Sequence, residues 1–322
     1  MQRIIFLICF TLLFSVSAMA LETDNFLMWG RELEEATLDV NSYIENKIQH
    51  ELNQINRKHE DKDCEIVRDK LIKSFRGFIT HPMEHWIEAT LGPAKVFPSE
   101  EEFSEEDYFA MSIYATHKFD VSKYFSLSRN ININGIYIGT DKFSHWMSTG
   151  ARYYKKYENA LKRGKSEEDA FRSAINYGIF LDRFVLGGVS SGVFSFGDLE
   201  ANFQGLLLNR NFCRVGEQNY LKFDGRNWIM TRKIDVRDYV NPNWDETYNP
   251  SVFSALKWIQ VQRNFKKENC QKLASQVFHD RFKYYNSIIK PSFSVEYIHE
   301  LKSQSKRLPK HLNRNYREIC IP

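Results

Sequence analysis

From Leu33 through Val40, Ile44, Ile48, Leu52 and Ile55, apolar side chains recur at three- to four-residue spacing and stop at the polar stretch 57–63. That spacing lines one face of an α-helix, which must bury its stripe against something else. A second stripe, Cys64, Val67, Leu71, Phe75 and Phe78, predicts a second helix packed on the first. With 43% apolar residues and 44 basic against 41 acidic side chains in 322 residues, the chain can build an ordinary core. This composition excludes a disordered, collagen-like or multi-span membrane protein.

Three further helix starts carry a local signal. Ser104, Ser166 and Ser195 each stand three residues before an aspartate, Asp107, Asp169 and Asp198, ahead of an apolar-periodic stretch. These resemble capping boxes with Asp in place of Glu or Gln. Ile131 to Ile133 and Ile136 to Ile138 flank Asn134-Gly135, the favoured two-residue hairpin turn. Residues 220–223 and 227–231 around Asp224-Gly225 predict a second hairpin. Helices resume from Ser251 to near Ile289, break around Pro291 and run again from Ser294. Without a linker or an internal repeat, the expected fold is mainly α: a single irregular helical domain over 21–322 with two short β-hairpins.

Arg3, the largely apolar run from Ile4 to Phe14 and Ala18-Met19-Ala20 predict a secretory signal over 1–20, cleaved near Ala20. The run is too short to span a bilayer, and Cys9 lies inside it rather than after a lipobox, so no lipid anchor is expected. Losing residues 1–20 removes Arg3 and no acid, which lowers the formal charge from +3 to +2. So balanced a chain has no electrostatic footprint for nucleic acid. The mature chain is expected to carry no transmembrane segment and to be exported, periplasmic or secreted. There Cys64, Cys213, Cys270 and Cys320 would form two disulfides in one of three connectivities. No C-x-x-C pair points to a zinc cluster.

The densest unusual segment runs from Gly139 to Gly205. Thr140 can cap a helix that puts Asp141 and His145 on one face, where the carboxylate would orient and charge-stabilise the imidazole. The plainer alternative is an aspartate favoured by the helix dipole beside an ordinary histidine. Asp198 and Asn202 also share a helical face, and Ala201 and Gly205 form a small-residue strip that would let another helix come close. Buried polar groups need partners, and Asp141, Lys142 and His145 are the obvious ones. Asp182, in an apolar helix beside Arg183, adds a third carboxylate if it faces inward and nothing if it faces solvent. The glycines of 187–192 spell no phosphate-binding motif.

Asp141-Lys142-x-x-His145, followed by Ser195-x-x-Asp198-x-x-x-Asn202-x-x-Gly205, resembles the Asp-Lys-x-x-His and Asp-x-x-x-Asn-x-x-Gly pair of VanZ-like and YfiM-type bacterial envelope proteins. The resemblance covers residues 139–208. Those families are small and helical, and VanZ-like members are membrane-embedded, whereas no mature segment here is apolar enough to span. The resemblance implies a helical envelope protein with a shared polar site and leaves the reaction open.

Two rival sites stand beside it. His81-Pro82-Met83-Glu84-His85 matches H-x-x-E-H, in which two histidines bind zinc and the glutamate activates water. Pro82 restricts His81 to the opening turn of a helix, and no third ligand is identifiable. The aromatic loop 238–250, with Tyr239, Trp244 and Tyr248 among acids and amides and Trp228 upstream, suits either a sugar groove or a loop pinned by its own side chains.

The leading expectation is an exported envelope protein, a hydrolase of a cell-wall or lipid component working through Asp141, Lys142, His145, Asp198 and Asn202. His145 would be a general base or metal ligand, Asp198 a general acid or second ligand, and Asn202 a substrate-positioning group. One alternative makes the same residues a buried hydrogen-bonded clamp in a non-catalytic envelope structural or interaction protein. The other is a zinc metalloprotease built on His81, Glu84 and His85. The sequence specifies no cofactor, metal or oligomeric state.

Overall fold

The computed structural model describes residues 22–58, 63–76, 81–115, 127–183, 192–214, 216, 219–304 and 319–320. The expected signal segment, Phe78 and residues 187–191 lie outside them. The two stripes form α1 (Thr37–Lys58) and α2 (Cys64–Ser74). Val40, Ile44, Ile48, Leu52 and Ile55 are all buried, and with Val67 and Leu71 of α2 they build one side of the largest apolar core. Leu33 precedes α1 and packs instead on a second core around the N-terminal 3-10 turn Asn25–Met28.

Pro82 opens α3 (Pro82–Thr90), where its missing N–H costs nothing. Strand β1 (Val96–Phe97) and helix α4 (Glu105–Met111) follow, and Ser104 accepts the Asp107 N–H as its spacing predicts. The first hairpin pairs β2 (Asn130–Ile133) with β3 (Ile136–Gly139) in the register Ile133↔Ile136, and β1 adds to the other edge of β2. Asn134 and Gly135 have φ of 53° and 77°. Positive φ at both turn positions matches the strand twist, and asparagine and glycine reach it at least cost.

A continuous helical run follows: α5 (Asp141–Ser144), a wide π turn (His145–Thr149) and α6 (Gly150–Lys162). Thr140 does not cap it. Its backbone is already helical, and its hydroxyl donates to Glu88 of α3. Ser166 caps α7 (Glu167–Leu181). After β4 (Val193–Phe194), Ser195 caps α8 (Phe196–Cys213).

Helix α8 is the axis of the site because it is buried all round. Ala201, Leu208 and Phe212 face the core of α1 and α2, while Leu199, Phe203 and Leu206 face the core shared with α6 and α7. The small-residue strip does what its spacing suggested: Gly205 meets Gly150 backbone to backbone, and a Cβ on Gly205 would collide with the Trp146 carbonyl.

The second hairpin, β5 (Leu221–Phe223) with β6 (Trp228–Met230), is a little shorter than predicted. Strand β7 (Val252–Phe253) pairs with β4, two residues against two, which is too short to leave a pattern in sequence. The helices expected between Ser251 and Ile289 are α9 (Ala255–Glu268) and α10 (Gln276–Ile288). Ser275 accepts the Phe278 N–H and so caps the second, and Cys270, between the two, bonds to Cys320. Helix α11 (Phe293–Ser303) completes a mainly helical chain. The other disulfide, Cys64–Cys213, ties the start of α2 to the end of α8 and selects one of the three connectivities. Among the described residues no helix is long and apolar enough to cross a membrane.

Candidate functional site

The close approach of Gly150 and Gly205 brings α5 and the π turn onto the first turns of α8. All five expected residues meet there. The Lys142 Nζ lies 2.8 Å from Asp141 Oδ2, 2.7 Å from Asp198 Oδ1 and 2.7 Å from Glu246 Oε1. His145 Nε2 is 3.2 Å from Asp198 Oδ2, and its Nδ1 is 3.2 Å from Asn202 Oδ1. Asp141 Oδ1 accepts the Thr23 hydroxyl at 2.6 Å. Asp198, not Asp141, is therefore the carboxylate against the imidazole, and Asn202 serves the ring from its other side.

The serine caps show how Asp198 is released for this role. At α4 and α7 the capping serine also donates its hydroxyl to the aspartate it caps. Ser195 donates instead to Glu246 Oε1 at 2.8 Å. Asp198 is left to turn toward Lys142 and His145. Glu246 is further held by the Ser251 hydroxyl at 2.7 Å, and its N–H donates to Asn25 Oδ1 at 3.0 Å. A Cβ on Gly197 would lie 3.2 Å from Lys142 Cε, so glycine there lets the lysine stem pass.

Burial grades across the cluster. The Lys142 side chain is 0% exposed, Glu246 3% and Asp141 4%, whereas Asp198 and His145 reach 10% and 11%. The cluster meets solvent at the His145–Asp198 edge. Burial alone would push Lys142 down, but Asp141, Asp198 and Glu246 hold its ammonium well above 10.5. Asp182 does face inward. Burial, then the charges of Asp198 and Glu22, push its carboxyl well above 3.8, and among the described residues its Oδ2 has no hydrogen-bond partner.

Donor atoms of Asp141, His145 and Asp198, one from each, lie within 4.8 Å of one another, close enough to hold one cation. The H-x-x-E-H stretch assembles no such set. His81 is buried at the start of α3 while His85 is exposed, so the two rings do not face one cavity, and the Glu84 carboxylate takes the Ser128 hydroxyl at 2.6 Å. A metalloprotease would need both rings and the glutamate around one cavity. The pairing fails because His81 sits before the helix rather than one turn inside it. His81 instead borders the cluster: burial, with His145 and Lys47 nearby, depresses it to about 3.

The aromatic loop is pinned. Trp244 and Tyr239 are buried beside Trp146, and 3-10 turns at Val236–Asp238 and Pro242–Trp244 shape it. Its contribution to the site is Glu246, which residue patterns gave no reason to single out from its neighbour Asp245. Asp245 instead accepts from Thr247 and the Tyr285 hydroxyl. Thr23 and Asn25 carried no signal in sequence. Comparison with known families, with characterised proteins and with solved structures finds no match to this chain.

Proposed function

We propose that the protein is an exported hydrolase of a cell-envelope component, cell-wall or lipid, with its reacting edge at His145 and Asp198. The observation that carries this is the contact of His145 Nε2 with Asp198 Oδ2 at the more exposed margin of the buried cluster. A proton held between these two atoms is placed to be given to a leaving group or taken from water. Lys142 lies behind Asp198, and Asn202 fixes the ring. The paired cysteines suit an oxidising, exported setting, and the resemblance of the two motifs to envelope proteins supports the address. The test is turnover by the purified chain on peptidoglycan fragments and on short-chain lipid esters. Asp198→Asn keeps the size and the Lys142 contact, and is expected to cost at least about 100-fold in rate with an unchanged melting temperature. Undiminished turnover by this variant would remove the catalytic role.

A second reading is favoured by the complete burial of Lys142: the cluster is a clamp joining α5, α8 and the loop that bears Glu246. On that reading Asp198→Asn lowers the melting temperature, and there is no turnover to lose.

A further inference from the structure

The interior of this cluster is rich in carboxyl groups. Among the described residues, Asp141, Asp198 and Glu246 surround one ammonium, three carboxyl groups to one lysine beside an imidazole, in a region that water barely reaches. Buried charge without a partner is costly enough that a protein supplies a proton or a cation.

The imidazole says where the cation would sit. With Asn202 Oδ1 accepting from His145 Nδ1–H, His145 Nε2 faces Asp198 Oδ2 at 3.2 Å. Two such atoms repel unless a proton or a cation lies between them or beside them.

We propose that His145, Asp141 and Asp198 form a binding site for one divalent transition-metal ion, with zinc, which accepts both imidazole and carboxylate ligands, as the ion to test. The proposal rests on the same centre as the hydrolase reading, and gives His145 and Asp198 the role of ligands in place of that of a proton-sharing pair. Three protein ligands with an open fourth position is the arrangement of catalytic zinc. Each ligand already has the outer support that such sites need: Asn202 holds the far ring nitrogen of His145, Lys142 and Thr23 hold Asp141, and Lys142 holds Asp198. Zinc coordination near 2.0–2.2 Å requires the donors to close in from their present spread, a movement of side chains on fixed helices.

The test uses the full mature chain, stripped with chelator and titrated with Zn2+ by calorimetry, and with Co2+ by visible absorption. Expected are one ion per chain and tetrahedral cobalt bands, with affinity falling at least about tenfold and the bands vanishing in His145→Gln and in Asp141→Asn. Circular dichroism confirms the fold of each variant, and either folded variant suffices. Equal zinc uptake and equal cobalt spectra in wild type and variant would overturn the site, as would no uptake by wild type. Since binding is read without substrate, metal uptake without turnover sinks only the hydrolase reading. Turnover by fully stripped protein that takes up no metal sinks only the metal site.

Discussion

Lys142 is the residue on which the cluster depends. Its ammonium is fully buried and its three carboxylate partners come from three parts of the chain. Lys142→Met keeps the stem but strands the acids, and is expected to lower stability by about 3–5 kcal/mol in urea unfolding. Adding Glu246→Gln should restore part of it. A single substitution that unfolds at the wild-type midpoint would show that the acids are not held by this charge. At this scale the sequence showed five of the six polar residues, because Asp141, His145, Asp198 and Asn202 stand at helical spacing and Lys142 lies between the first two. It could not show Glu246, which reaches the cluster only through the path of the loop 238–250. Nor could it show that His145 is served by Asp198 rather than by Asp141, since that choice depends on which helix crosses in front of the ring.

Among elements, the crossing of α8 over the π turn and α6 decides whether the two halves of the site meet. Gly205 is where the crossing is tightest: a Cβ there would lie 2.8 Å from Gly150 Cα and would collide with the Trp146 carbonyl. Backbone cannot swing aside as a flexible side chain does, so Gly205→Ala must push the helices apart. Its expected cost is about 1–3 kcal/mol or more, read as a shift in denaturation midpoint, while Gly92→Ala, which meets nothing within 4 Å, serves as the neutral control. Equal midpoints for the two would mean that the crossing is looser than its contacts suggest. The serine caps, the two apolar stripes and the Asn134-Gly135 turn were legible in advance because each is settled by neighbours in the chain. The π turn and the β4–β7 pair were not, because each depends on what packs across from it.

For the molecule as a whole, two buried groups beside the cluster make opposite contributions to the change of stability with pH. Glu84 is raised by burial, with Glu88 adding to it, from 4.5 to about 8. Between those values the unfolded chain has released a proton that the folded chain retains, so stability falls as pH rises. His81 is lowered by burial, with His145 adding to it, from 6.5 to about 3. There the unfolded chain binds a proton that the folded chain refuses, so stability falls as pH drops through that range. Glu84→Gln removes the first effect. Measured against wild type, its stability should improve by a few kcal/mol on going from pH 4.5 to pH 8, as read from urea midpoints at the two values. An unchanged difference would show that Glu84 ionises in the folded protein as it does in water. The amino-acid sequence by itself determined the helical class, the amphipathic faces, the capped starts, the first hairpin and the residue types of the polar centre, since spacing along the chain decides these within a turn or two. Only the tertiary structure decided which cysteines pair, that Asp182 turns inward, that His81 and His85 part company and that Glu246 completes the cluster around Lys142. Those outcomes depend on segments far apart in the chain coming together around α8, and no local propensity encodes that meeting.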